Sequence, residues 1–347
     1  MTTFVPLVGQ YDNLGDVFLR RRLAAWIDDD LHVLLAGAPN DFVAALDLPS
    51  SATVYRSFAR WSGAMATDST RARYVYKPGE IQMSLPGMKE HVGLLPLVAR
   101  LRASGGRVGR VGVGTRSVAQ PYVSMCRPSV VLSDVTFWRD DATRAAFGRG
   151  QVAPDLAFAE GSDASTWDGE DRSLVVVSLR GDLPIPSDSW FEAIRRFADR
   201  KELDIVCVSQ VRRDDRRTLD CADFLGGRAV CLEGITFGDA EQHLRHLYRR
   251  TCLAVSDRLH VLVGAATEGA AVSAALDRGS PKIRRHFDVI GLGGVEVTTG
   301  TLASDDRVRV LETAARSVTE TRAGVERART ELRDARAVFA AALGYSA

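Results

Sequence analysis

Lysine is nearly missing from this chain. Lys77, Lys89, Lys201 and Lys282 are the only lysines among 45 basic residues, the rest being arginine. Against 44 acidic residues they leave a formal net charge of +1. No global positive field exists to hold nucleic acid or an anionic membrane, so any anion site must be local. Cysteine is sparse as well: Cys126, Cys207, Cys221, Cys231 and Cys252 stand far apart, odd in number and without a Cys-x-x-Cys pair. Neither a disulfide framework nor a metal site is indicated, and four of the five lie in or beside apolar segments, as small buried thiols do. No apolar run reaches the ~18 residues that span a bilayer. The start, Met1-Thr2-Thr3-Phe4-Val5-Pro6, lacks the basic and apolar regions of a secretion signal. The expected location is the cytoplasm, free or peripheral at the inner membrane face.

What is present is globular: 46% hydrophobic and 26% charged residues over 347 positions, enough for two domains of ordinary size. Short apolar runs alternate with amphipathic stretches, the pattern of parallel α/β architecture. The expected strands of the first half are Phe4–Val8, Leu31–Ala36, Arg73–Tyr76, Val108–Val113 and Val130–Leu132, with helices at Asp16–Ile27, Val92–Ala103 and Ala142–Phe147. The polar, acidic stretch from Glu160 to Asp171 reads as a linker. After it the alternation restarts at Leu174–Val177, with strands expected near Ile205–Ser209, Ala229–Leu232, Cys252–Ser256 and Ala271–Ala275. The fold class is therefore α/β, two Rossmann-like domains (1–160 and 172–300) facing across a cleft in the manner of GT-B enzymes, plus a long helix over 305–343. Along that helix Leu311, Val318, Val325, Leu332 and Phe339 alternate with Ala314, Thr321, Ala328, Ala335 and Ala342 as a heptad seam with small second positions. Packing against the chain's own domains is expected of it, with a homodimer coiled coil as the alternative.

Ligands of open parallel sheets bind beyond the carboxyl ends of strands, so polar residues there are the candidates. Asn13, Gly15 and Asp16 follow the first strand and open a helix, where a tight loop and a helix N-terminus attract anions; they are assigned to the cleft without a chemical role. In Val255-Ser256-Asp257-Arg258-Leu259-His260 an apolar strand ends in polar residues and an apolar helix begins with a histidine on its first turn. Arg180 ends the strand at Leu174–Val177, and Lys282 opens the helical stretch after Ala271–Ala275. Arg180, Arg258 and Lys282 beside one imidazole would suit a small, highly charged anion.

Several of these pieces resemble the polysaccharide pyruvyl transferase family: Asn13-x-Gly15-Asp16, Pro154-Asp155-Leu156-Ala157-Phe158, Arg139-Asp140, the Ser-Leu-Arg strand end at Arg180, and Ser256-Asp257-Arg258-Leu259-His260 followed by Gly269 and Lys282. The resemblance runs in order from about residue 4 to residue 292. The family's glycine-rich loop is poorly matched by Lys77-Pro78-Gly79-Glu80. The resemblance implies phosphoenolpyruvate as co-substrate rather than a bound cofactor, and a pyruvate ketal formed on two hydroxyls of a sugar in a cell-envelope glycan or its lipid-linked or nucleotide-linked precursor. It implies His260 and Arg258 as catalytic residues, His260 as acid and base, with Arg180, Arg258, Lys282 and Ser256 holding the donor. No step needs a metal. The first alternative is a GT-B-type glycosyltransferase using a nucleotide-sugar donor. The second is a non-catalytic scaffold working through the C-terminal helix.

Overall fold

The alternation of apolar runs and amphipathic helices resolves into two parallel α/β units in the computed structural model, which describes residues 1–345 except 29, 69, 70 and 170. The first unit comprises Met1–Tyr11, Asp16–Leu156 and Thr330–Ala347, and the second Asp12–Gly15 and Ala157–Arg329.

In the first unit the elements are β1 (Thr2–Pro6), α1 (Leu14–Ala24), β2 (Asp30–Leu34), α2 (Asn40–Ala45), β3 (Thr53–Tyr55), α3 (Phe58–Thr67), β4 (Arg73–Tyr76), β5 (Gly79–Ile81), α4 (Leu95–Ala103), β6 (Arg107–Thr115), α5 (Gln120–Val131), β7 (Val135–Trp138), α6 (Asp141–Phe147) and β8 (Gln151–Val152). The strands pair in the order β3-β2-β1-β4-β6-β7-β8, with β5 also on β6, every pair parallel. Val130–Leu132, expected as a strand, is instead the end of α5 and its cap. Pro121 opens that helix, and Val123, Cys126 and Val130 fall on one buried face, so the periodicity of the whole segment outweighs its short β-branched run. The strand comes just after, as β7.

The second unit follows with β9 (Leu174–Ser178), α7 (Asp188–Lys201), β10 (Asp204–Val208), α8 (Asp215–Leu225), β11 (Arg228–Val230), α9 (Phe237–Arg249), β12 (Thr251–Ser256), α10 (Leu259–Thr267), β13 (Ala271–Leu276), α11 (Pro281–Asp288), β14 (Glu296–Thr298), α12 (Ser304–Arg316) and α13 (Val318–Leu343). Its order is β11-β10-β9-β12-β13-β14, again all parallel. β9 is buried at every position, which is why it reads as an unbroken apolar run instead of an alternating one. The acidic stretch after Glu160 is not a loose linker. Trp167 is buried within the second unit and its indole N–H donates to the Thr267 carbonyl at 3.3 Å. One aromatic side chain thus anchors a segment whose composition is otherwise that of a loop. Glu170 of that stretch lies outside the described residues.

The C-terminal helical stretch divides at Ser317, which caps α12. The long helix is α13. Its positions Val325 and Ala328 are buried, as are Leu332, Ala335 and Phe339 beyond them, so the apolar seam is covered by the chain itself. In the first unit Phe339 and Leu343 lie flat on Gly109 of β6, where any side chain would meet the Phe339 ring at about 2.8 Å. Trp26 packs edge-on to Phe339 at 5.7 Å, Arg73 Nε donates to the Leu343 carbonyl at 2.5 Å, and Tyr345 shares a hydrogen bond with Thr3 at 3.2 Å. All five cysteines are free thiols. Burial pushes Cys126 up to about 11 and Cys207 higher still, so neither is a ready nucleophile. Among the described residues no helix is long and apolar enough to cross a membrane.

Candidate functional site

A doubly wound sheet opens where its strand order reverses, because the connections leave in opposite directions and part the loops. In the second sheet that point lies between β9 and β12. β9 runs out into Leu179-Arg180-Gly181, and β12 into Asp257-Arg258 and then α10. Arg180, Ser256 and Arg258 therefore meet at one edge, with His260 on the first turn of the helix that starts there.

Their contacts are specific. Buried Ser256 donates from Oγ to the Ser178 carbonyl at 2.7 Å and accepts the Arg258 N–H at 2.9 Å, so its hydroxyl ties the two strand ends together. Asp257 accepts the Arg180 backbone N–H at 2.8 Å. Asp214, at the end of the turn leading into α8 and only 1% exposed, accepts the Gly181 N–H at 2.9 Å on one oxygen. Its other oxygen takes Arg258 Nε at 2.7 Å and pairs with Nη2. One carboxylate thus joins the loops that follow β9, β10 and β12. The Arg180 guanidinium forks onto Asp182, Nε at 2.9 Å and Nη2 at 2.6 Å. These hydrogen bonds hold the Asp182 carboxyl down at about 2. Burial pulls the Arg258 guanidinium below its ordinary value, against the opposing pull of Asp214.

Asp257 behaves in the opposite sense. Burial pushes its carboxyl from 3.8 up to about 6, although the Arg180 N–H and both guanidiniums oppose the shift. A folded-state value above the unfolded one means that the proton favours the fold. That contribution is complete below about pH 4 and lost as pH rises through about 6. Asp257→Asn keeps the acceptor for Arg180 and removes the titration. Urea unfolding is expected to show the variant gaining on the parent as pH rises from about 4 to 6.5, and parallel curves would refute this.

Asn13 and Gly15 group with this second unit, contrary to the expectation that they belong to the facing domain. The reason is backbone pairing: Asn13 bridges Val211 antiparallel, Leu14 N–H donates to the Gln210 carbonyl at 2.9 Å, and Arg212 N–H to the Asp12 carbonyl at 2.9 Å. Gly15 passes so close to His260 that a Cβ would stand 2.3 Å from the ring nitrogen Nδ1. Only glycine lets the imidazole lie there. The Asn13 side chain accepts the Gly15 N–H at 2.9 Å, and Gln210 Nε2 donates to the His260 carbonyl at 3.1 Å. Asp16 belongs to the first unit and pairs with Arg20 at 3.2 Å. Lys282 stands one strand further along, on the first turn of α11 after β13, where its carbonyl accepts from His286 at 2.7 Å.

Asp214 and Asp182 escaped the sequence reading. Asp214 sits in Arg212-Arg213-Asp214-Asp215-Arg216-Arg217, which looks like a solvated helix start, and only the fold reveals that its carboxylate turns inward. Among the described residues no group of three or more His, Cys, Asp or Glu side chains assembles as a metal site.

In the first sheet the order reverses between β1 and β4. A cavity of about 790 Å³ lies there, lined by Val8 and Gly9 after β1, Lys77 and Gly79 after β4, and Glu90 and His91.

No protein-family model matches this sequence, and comparison with curated proteins finds no match. Solved structures do share the architecture. The UDP-GlcNAc 2-epimerase of Neisseria meningitidis bound to UDP-GlcNAc has a TM-score of 0.60 at 8% identity, covering 100% of both chains. Anabaena HepE in complex with UDP and glucose has 0.57 at 12% identity, over 99% of both. The UDP-GlcNAc 2-epimerase of Methanocaldococcus jannaschii has 0.55 at 12% identity, over 96% of this chain and 100% of the other. The expected membership of the polysaccharide pyruvyl transferases is overturned by these findings. No family model supports it, and the solved neighbours are UDP-GlcNAc 2-epimerases and a UDP-bound protein; phosphoenolpyruvate as donor and the ketal product fall with it. The fold class stands: two Rossmann-like α/β units of GT-B type with a long C-terminal helix.

Proposed function

We propose that the chain is a GT-B-type enzyme acting on a nucleotide sugar, transferring the sugar to an acceptor hydroxyl, with the nucleoside diphosphate held by the second unit. The observation that carries this reading is the emergence of Arg180 and Arg258 from adjacent strand ends at the point where the second sheet reverses its order. Bonds from the anomeric carbon to a diphosphate break more easily when charge on the leaving phosphate is met by donors already in place. Arg258, fixed by Asp214, and the backbone N–H groups at the start of α10 supply such donors. His260, held against Gly15, would give a proton or a hydrogen bond to the leaving diphosphate. Arg180 would exchange Asp182 for a phosphate oxygen, since a guanidinium fork accepts either anion. Solved structures of this architecture hold UDP or UDP-GlcNAc, which supports the ligand class.

Thermal unfolding with UDP, GDP, ADP and their sugars tests the reading. A true ligand at about a hundredfold excess over its dissociation constant stabilises by about 2.7 kcal/mol. Arg258→Lys, which keeps the charge but loses the fork, should weaken that ligand by about tenfold or more. Absence of any shift with these nucleotides and nucleotide sugars refutes the proposal.

A further inference from the structure

Lys89–Gly93 forms a single π-helical turn, a rare conformation that recurs at functional sites, and it carries Glu90 and His91 to the wall of the first-unit cavity. Behind His91 lies Arg110, a guanidinium with no exposure to solvent. Arg110 stacks on Tyr76 at 3.9 Å, donates from Nη2 to Ser129 Oγ at 3.0 Å, and reaches His91 Nδ1 with Nη1 at 3.5 Å. Among the described residues it meets no carboxylate at ion-pair distance, and its Nε has no partner. A buried cation so poorly compensated is costly, and its contacts show what it imposes.

Ser129 has one proton, which its Oγ can give to the Cys126 carbonyl at 2.7 Å or to His91 Nδ1 at 3.4 Å, while it accepts from Arg110. Arginine has donors alone. Nδ1 of His91 must therefore be the bare nitrogen, and the ring proton belongs on Nε2. Burial, Arg110 and Lys77 together push His91 well below its ordinary range, so the ring stays neutral. The imidazole is further fixed by stacking on Tyr76, centroids 5.3 Å apart and planes 14° from parallel.

The neighbouring Glu90 supplies the complementary group. Its contacts are long: Lys77 N–H at 3.3 Å, Tyr74 hydroxyl at 3.4 Å and Lys77 Nζ at 3.7 Å, which leaves acceptor capacity on the carboxylate. A fixed N–H donor beside a carboxylate matches a hydroxyl, which accepts and donates at once. The charged side chains on the wall balance, Lys77 and Lys89 against Glu80 and Glu90, and exposed Phe58 offers an aromatic face at the rim. We propose that this cavity binds a neutral polyhydroxyl group, a sugar ring, gripped by His91 Nε2–H and Glu90, with Arg110 as the positioning residue that fixes the His91 tautomer. The proposal is independent of the donor assigned to the second unit.

The full-length protein would be tested by saturation-transfer NMR with the methyl glycosides of glucose, galactose, mannose and N-acetylglucosamine. At least one is expected to bind, His91→Ala to weaken it about tenfold, and His91→Gln, whose amide N–H can stand in for Nε2–H, to stay within about threefold of the parent. Failure of all four probes, or equal binding by His91→Ala, overturns the proposal whatever the nucleotide results show. A second readout follows the imidazole nitrogens by 15N–1H correlation, with His91 identified by its absence in His91→Gln. One Nε2–H tautomer should persist between about pH 6 and 8, and Arg110→Met should release it into a mixture or a titrating ring. A mixed or titrating His91 in the parent protein refutes the role of Arg110 even if that variant does not fold.

Discussion

A chain ended after Arg329 is expected to lose the native first unit while keeping the second. Residues from Thr330 onward belong to the first unit, and they bring Phe339, Leu343 and Tyr345 into its core. Phe339 is completely buried on Gly109 and Trp26, so Phe339→Ala alone should cost about 3–5 kcal/mol. That is a large share of the roughly 5–15 kcal/mol by which a domain is stable. The truncation also strands Arg73, whose Nε and Nη2 are satisfied by the carbonyls of Leu343 and Gly344. Hydrogen exchange read by peptide separates the two units, which a single melting temperature would blur. Amides of β1, β4 and β6 should exchange fast in the truncated chain, and those of β9 and β12 should stay protected. Protection retained in β6 would show that the helix end is dispensable.

The second large effect is expected at Asp214. Replacing it by Ala leaves the Arg258 guanidinium buried without its counter-ion and frees the Gly181 N–H, a loss of about 3–5 kcal/mol by comparison with other broken buried pairs. The double variant Asp214→Ala with Arg258→Met removes both charges and should recover most of that stability, because the penalty comes from the charge left alone. Nucleotide binding should not recover with it. Restored stability together with restored binding would remove Arg258 from the ligand site, and an Asp214→Ala variant as stable as the parent would show that the ion pair is not held in solution.

The strand ends that form the second-unit site were legible because parallel strands write themselves as apolar runs and stop at polar residues. β9, β12 and β13 fall where Leu174–Val177, Cys252–Ser256 and Ala271–Ala275 place them, and Arg180, Arg258 and His260 follow directly from those ends. What was illegible depends on pairing between distant segments. Nothing local marks Asp214 as buried, nor Arg110, which sits among valines in β6 yet points at a histidine nineteen residues earlier. Gly15 looks like a helix-opening residue until the His260 ring is found against it. The expected family rested on short motifs whose residue types suit several anion-binding sites. Arginine after a strand and histidine opening a helix describe where a ligand sits better than which ligand it is.

The placement of Phe339 on β6 has a consequence for biosynthesis. At about 5–20 residues per second the ribosome needs roughly 12–46 s to pass from Gly109 of β6 to Phe339. The β6 surface that receives Phe339 must wait uncovered until that residue has been added and has left the tunnel. The first unit is therefore begun before the second and closed after it, and for tens of seconds its sheet is a natural client for chaperones.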